Sequence, residues 1–194
     1  SNAVFKISAE GGMAEIQDAR AGIPGGTLEI VGDLAVEEEA SLFALQARVE
    51  IDQLSTTLAS FGIPLVADGV GQILIEPFDG GGVAALAQGS LRFFDGSLDA
   101  LEAVRTALGA EAQKEFDALE GLFILRADGI EFPRLQIHRG SETLEFSDLR
   151  LDGYSELSGQ VGLAGTTSSK ENVSLSGTLA QPLLLESHEV QLSQ

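Results

Sequence analysis

The sequence predicts a mainly β fold, a β-rich α+β domain. Its expected form is a curved antiparallel sheet or half-barrel with an apolar concave face, plus one short helix and one longer capping helix. Two observations carry this. Apolar and polar residues alternate through most of the 194-residue chain, the period of strands with one dry and one wet face. Asp-Gly pairs at Asp68, Asp79, Asp95, Asp128 and Asp152 each stand beside such a run. That pair favours tight turns, because Gly tolerates positive φ and Asp bonds to nearby backbone amides. Short strands joined in this way argue for hairpins rather than parallel βαβ units.

Ser1-Asn2-Ala3 reads as the scar of tag removal and is set aside, with the natural chain expected to extend upstream. Residues 4–194 read as a single domain, with a sub-boundary near 62–70. Four alternating runs come first: Val4–Ser8, Met13–Ala21, Gly26–Val36 and Leu42–Ile51. The acidic run Glu37-Glu38-Glu39 reads as a solvated turn. In "DQLSTTLASF", Leu54, Leu58 and Phe61 share one helical face, with Asp52 as N-cap and Gly62 as stop. The strands Gly71–Phe78 and Ala87–Phe94 follow. From Leu98 the rhythm becomes helical, through Leu101, Val104, Leu108, Ala112, Phe116 and Leu119. Ser97 or Asp99 would cap this longer helix and Gly121 end it, with Gly109 splitting or bending it. Five further strands complete the reading: Gly121–Arg126, Gly129–Arg139, Thr143–Gly153, Glu156–Ala164 and Asn172–Gln181.

The balance between sheet and helix bears on function. A helix is about 10 Å across and strands stand about 4.8 Å apart. Two helices therefore cover only part of so wide an apolar face. Either the sheet closes on itself or on a second sheet, or it leaves an apolar groove, the usual mark of a binding surface.

Composition narrows the classes further. With 30 acidic residues against 11 Lys and Arg, the net charge of -19 argues against nucleic acid, which is held by clustered cations, and against docking on anionic headgroups. The absence of cysteine rules out disulfides and thiol chemistry and suits either a reducing or an oxidising compartment. His138 and His188 stand alone, without metal-ligand spacing. The glycine-rich "DGVGQIL" and "FDGGGVAAL" lack the Lys and Ser/Thr of a phosphate loop, and no serine sits in a nucleophile elbow. Glu29, Glu76, Glu131, Glu145 and Asp148 alternate outward from apolar positions, as on a solvated face. No enzyme activity, metal or cofactor is expected.

The order of motifs resembles a known family. "IQDARAGIPGGTLEIVGDLAV", "FALQARVEIDQLSTTLASFGI" and "GSLRFFDGSL" are followed by "FILRADGIEFPRLQIHRGSETLEFSDLRL". The pattern closes on Gly177-Thr178-Leu179-Ala180-Gln181-Pro182. This is similar to the C-terminal periplasmic region of AsmA-like (AsmA/TamB-type) proteins of the Gram-negative cell envelope. The resemblance implies a chain anchored in the inner membrane by parts absent here. It further implies a periplasmic sheet whose groove carries phospholipid or other acyl-chain lipid for outer-membrane biogenesis, and it brings no catalytic residues. The lipid-binding candidates are Ile73, Ile75, Leu91, Phe93, Phe123, Leu125, Ile130, Phe132, Leu135, Ile137, Leu144, Phe146, Leu149 and Leu151. In this reading the longer helix plugs the mouth of the curved sheet. The alternative is a structural or assembly module that engages an envelope protein partner through an exposed sheet edge.

Overall fold

The computed structural model describes residues 3–10, 13–36, 41–63, 65–77, 85–153, 156–164, 173–178 and 184–187. Among them are twelve strands and two helices. The first half holds β1 (Ala3–Glu10), β2 (Met13–Ile23), β3 (Gly26–Val36), β4 (Ser41–Ile51), α1 (Leu54–Ser60), β5 (Ala67–Pro77) and β6 (Ala85–Leu98). The second holds α2 (Ala100–Ala107), β7 (Glu115–Arg126), β8 (Gly129–Arg139), β9 (Glu142–Asp152), β10 (Glu156–Ala164), β11 (Val173–Thr178) and β12 (Leu184–Ser187). All twelve strands form one sheet in chain order, each antiparallel to its neighbours. The sheet does not close. The ladder of β4 with β5 spans the 62–70 stretch, pairing Ala47–Ile51 with Gly71–Ile75.

Curvature follows from α2. In a flat sheet β7 and β12 would stand about 24 Å apart at the usual strand spacing, while an eight-residue helix is about 12 Å long. Yet α2, which leaves β6 and returns to β7, touches β12. The last strands curl back over the helix. Its buried stripe of Leu101, Val104, Arg105 and Leu108, each 1% exposed, has the i, i+3, i+4, i+7 spacing of one helical face. It packs into a single core with Ile51, Phe93, Phe116, Ile137, Leu144, Val161 and Leu175.

Three expectations are corrected here. The helix predicted to run to Leu119 ends at Ala107, with Leu108 as its C-cap, before Gly109 takes a left-handed φ of 69°. Residues 115–119 belong to β7 instead, with Gly96 opposite Phe116 and Phe93 opposite Leu119, and Gly121 lies inside that strand. A spacing of four suits a helix but is also even, so Leu108, Ala112 and Phe116 fit a strand face equally well. Asp99, one of the two caps expected for α2, does stand at its N-cap, whereas Asp52 gives way to Gln53 at α1. Gln53 and Asp99 are the capping residues, without a side-chain cap bond; the Asp99 carboxylate takes Lys114 at 3.1 Å instead. Backbone amides of Asp52 and Gln53 donate to the Gly25 carbonyl, tying α1 to the β2–β3 turn.

The Asp-Gly pairs also divide. Asp128-Gly129 closes the β7–β8 hairpin, and Gly153 ends β9 with φ 56°. Asp68-Gly69 and Asp95-Gly96 instead face each other across a bulge in the β5–β6 ladder, with Asp95 at φ 47°. The same freedom that makes a turn makes a bulge, which adds twist and bends the strand. Here it lies at the end of β6, where the chain leaves the sheet for α2. Residues 37–39, Asp79, His188 and the 179–182 end of the closing motif lie outside the described residues.

Candidate functional site, the concave apolar face

Ladder registers place the predicted lipid-binding residues on one face. Ile73 stands opposite Leu91, Leu125 opposite Ile130, Phe132 opposite Leu149, Leu135 opposite Phe146, Ile137 opposite Leu144, and Ile130 opposite Leu151. Phe93 and Phe123 stand opposite glycines, Gly71 and Gly89. A Cβ on Gly89 would lie 2.5 Å from Cζ of Phe123, so the ring lies flat over the neighbouring strand. A glycine under an aromatic ring lets a sheet bend toward that face. Ile75 shares the parity of Ile73 on β5, two residues on.

Burial divides this face in two. Phe93, Phe123, Ile137, Leu144, Phe146, Leu149 and Leu151 are buried, Leu144 completely, and all of them but Phe123 and Leu151 belong to the core that α2 helps fill. Ile73, Ile75, Leu91, Leu125, Ile130, Phe132 and Leu135 are half-buried. Toward the first strands the same face continues through residues the sequence reading did not single out. Leu28 stands opposite both Ala21 and Val49, Ile30 opposite Ala47, and Ile16 opposite Gly32. Ile16, Ile23, Leu28, Ile30, Leu45 and Val49 are all half-buried. On β4 the exposure from Leu45 to Ile51 alternates strictly, with the apolar residue inward each time. A signal for them was available, since "AEIQDARAGI" and "TLEIVGDLAV" show the alternation used for the later strands. The half of the face away from α2 is thus a shallow apolar trough, continuous with the filled half.

The convex face is wet. Glu50, Gln72, Arg92, Glu120, Gln136 and Glu145 form one row of directly opposed residues across β4 to β9. Within it Arg92 meets Glu120 at 3.1 Å and Gln136 donates to Glu145 at 2.8 Å. Arg20 bonds Glu29 on the neighbouring strand. A depression of ≈ 400 Å³ opens on this face, lined by Gln72, Ser90, Arg92, Glu120, Arg134 and Gln136 among others. Its polar lining suits water rather than acyl chains. His138 also lies on this side, bonded to Thr143 at 3.0 Å. Charge sets the end of β7: Arg139 donates to Glu115 and holds that carboxyl below its ordinary value, helped by backbone amide donation. A hydrogen bond to Asp99 and that residue's negative charge raise Lys114.

Among the described residues no three His, Asp or Glu gather as metal ligands, and no helix is long and apolar enough to cross a membrane. The fold and site together define a class: an open, all-antiparallel meander curled round a short helix, with one apolar concave face. Comparison with protein-family models, with curated proteins and with solved structures finds no match to this chain.

Proposed function

We propose that this chain is a non-catalytic acyl-lipid-binding segment of an AsmA-like envelope protein, working in the periplasm and binding or conducting phospholipid chains along its concave face. The observation that supports it is the half-buried apolar run on β2 to β5, which continues the α2-filled core without a change of face. Each methylene moved from water onto such a surface gains about 0.8 kcal/mol. A trough of this kind holds chains without any reactive group, and the convex row of charges keeps the opposite face in water. The AsmA-like assignment and the inner-membrane anchor rest on the order of sequence motifs alone.

The test is native mass spectrometry of protein purified without detergent, followed by lipid extraction and uptake of a fluorescent phospholipid. Lipid carried through purification, or uptake by the stripped protein, is the expected result. Leu28→Glu with Val49→Glu should weaken uptake at least tenfold, since a carboxylate in an apolar site must be desolvated. Gln72→Glu, on the convex face, should not. A lipid-free protein that takes up nothing defeats the reading.

A second reading has its own observation. The sheet ends on β1 and β12, which pair on one side only among the described residues, and unpaired strand edges template further strands. An assembly module using such an edge would bind a partner after Leu28→Glu and Val49→Glu as before, and would lose it on Pro substitution in β1.

A further inference from the structure

We infer that Arg105 forms an anion-binding site at the boundary between α2 and the concave face, taking the carboxylate or phosphate of an acyl lipid; this rests on the acyl-lipid reading above. Arg105 is the one buried charged side chain among the described residues, 1% exposed. Its Nη1 donates to Glu142 at 2.6 Å, at the start of β9. Its Nε and Nη2 are buried and have no hydrogen-bond partner.

Which donors are left over decides the chemistry. Nε–H and the neighbouring Nη2–H point the same way, forming the edge of the guanidinium that grips a carboxylate or phosphate with two parallel bonds. Two other arginines use that edge. Arg20 brings Nε and Nη2 together on Oε1 of Glu29 at 3.1 and 2.7 Å, and Arg126 brings them together on Oε2 of Glu131 at 2.9 and 2.7 Å. Arg105 gives only Nη1 to Glu142 and keeps the two-pronged edge buried, on the helix stripe that sends Leu101, Val104 and Leu108 into the core.

Stability does not explain this arrangement. A buried ion pair with two unmet donors is poorer than an apolar side chain of the same size. A buried polar group left this way in a native fold calls for a partner from outside the chain. A lipid head meets the requirement: its anion completes the fork while its chains lie along the apolar strands. A neutral head offers such a fork only uncharged oxygen acceptors, which bond it more weakly, and a cation is repelled. Because both atoms are covered, the anion reaches them only as α2 shifts on the sheet, so binding and helix position are coupled.

The experiment titrates the full chain, stripped of lipid, with dodecanoate, 1-dodecanol and inorganic phosphate, reading heats of binding. Dodecanoate should bind at least tenfold tighter than the alcohol, within the roughly tenfold to hundredfold span of a charged hydrogen bond. Arg105→Met should erase that preference while leaving the alcohol's affinity and the thermal midpoint unchanged or higher. Glu142→Gln, which removes the competing carboxylate, should tighten dodecanoate. Equal binding of acid and alcohol by the parent protein, or a preference that survives Arg105→Met, overturns the inference. Arg105 is then a latch for α2 only, and the trough still stands. Binding of phosphate without the alcohol keeps the anion site, with a free anion as its source, and defeats the acyl-lipid reading. Failure of all three ligands defeats both.

Discussion

At the scale of single residues, close approach and charge make the sharpest predictions. Gly89 lies under the Phe123 ring and against the Leu74 carbonyl. Gly89→Ala should cost about 1–3 kcal/mol, the usual penalty for overpacking, and urea unfolding measures it. Adding Phe123→Ala should recover part of that loss in a double-mutant cycle, because the two residues contact each other. Leu144, fully buried opposite Ile137, should cost about 2–5 kcal/mol as Leu144→Ala. Ionisation at the foot of β7 sets a pH dependence. Glu115, depressed from 4.5 chiefly by its bond from Arg139, adds stability at pH above 4.5 that falls away as acid protonates it. Lys114, raised from 10.5 by its bond to Asp99, adds stability below pH 10.5 that is lost as base deprotonates it. Arg139→Gln should flatten the acid limb of a denaturant-midpoint profile and Asp99→Asn the alkaline limb. Both groups are exposed, so salt should shrink both effects.

Among the elements, α2 has the largest influence for its size. It supplies Leu101, Val104 and Leu108 to a core that otherwise belongs to strands, and so decides which part of the concave face is filled. Val104→Asp would bury an unpaired carboxylate and should release the helix from the sheet. Hydrogen exchange should then rise in α2 and along β9 to β11, whose Leu144, Val161, Val173 and Leu175 share that core, more than in β2 and β3. Uniform protection across all these strands would show that α2 does not hold the curl. The bulge where Asp68-Gly69 faces Asp95-Gly96 belongs to the same scale. Gly96 has no room for a Cβ beside the Asp68 carbonyl and the Phe116 ring, so Gly96→Val should disturb the β6–α2 junction as well as the strand.

At the scale of the molecule, a meander with every strand beside its chain neighbour lets one face stay apolar across the whole sheet. Hairpin pairing keeps the register from strand to strand, and a one-residue slip would turn the apolar set outward. The same arrangement leaves two edges. If the trough binds lipid, occupancy should raise the thermal midpoint with ligand concentration, since a ligand of the folded state alone stabilises it by mass action. Added dodecanoate that leaves the midpoint unmoved over a hundredfold range would contradict that.

Much of this was legible in the residues themselves. Alternation gave the strands, Asp-Gly the hairpin closing on Gly129, and even spacing the shared face of Ile73, Leu91 and Ile137, because strand periodicity is a local property of the chain. Where the longer helix stops was not legible, since spacings of four serve helix and strand alike; the ladder of β6 with β7 made the choice. Nor could the pattern separate filled core from open trough, because Leu144 and Leu28 sit in equivalent alternating runs. Only the curl of β9 to β12 over α2 buries the first and leaves the second half-exposed. Arg105 reads in the sequence as one more polar residue of an amphipathic helix. Its burial comes from contacts made by strands far along the chain, which no local pattern encodes.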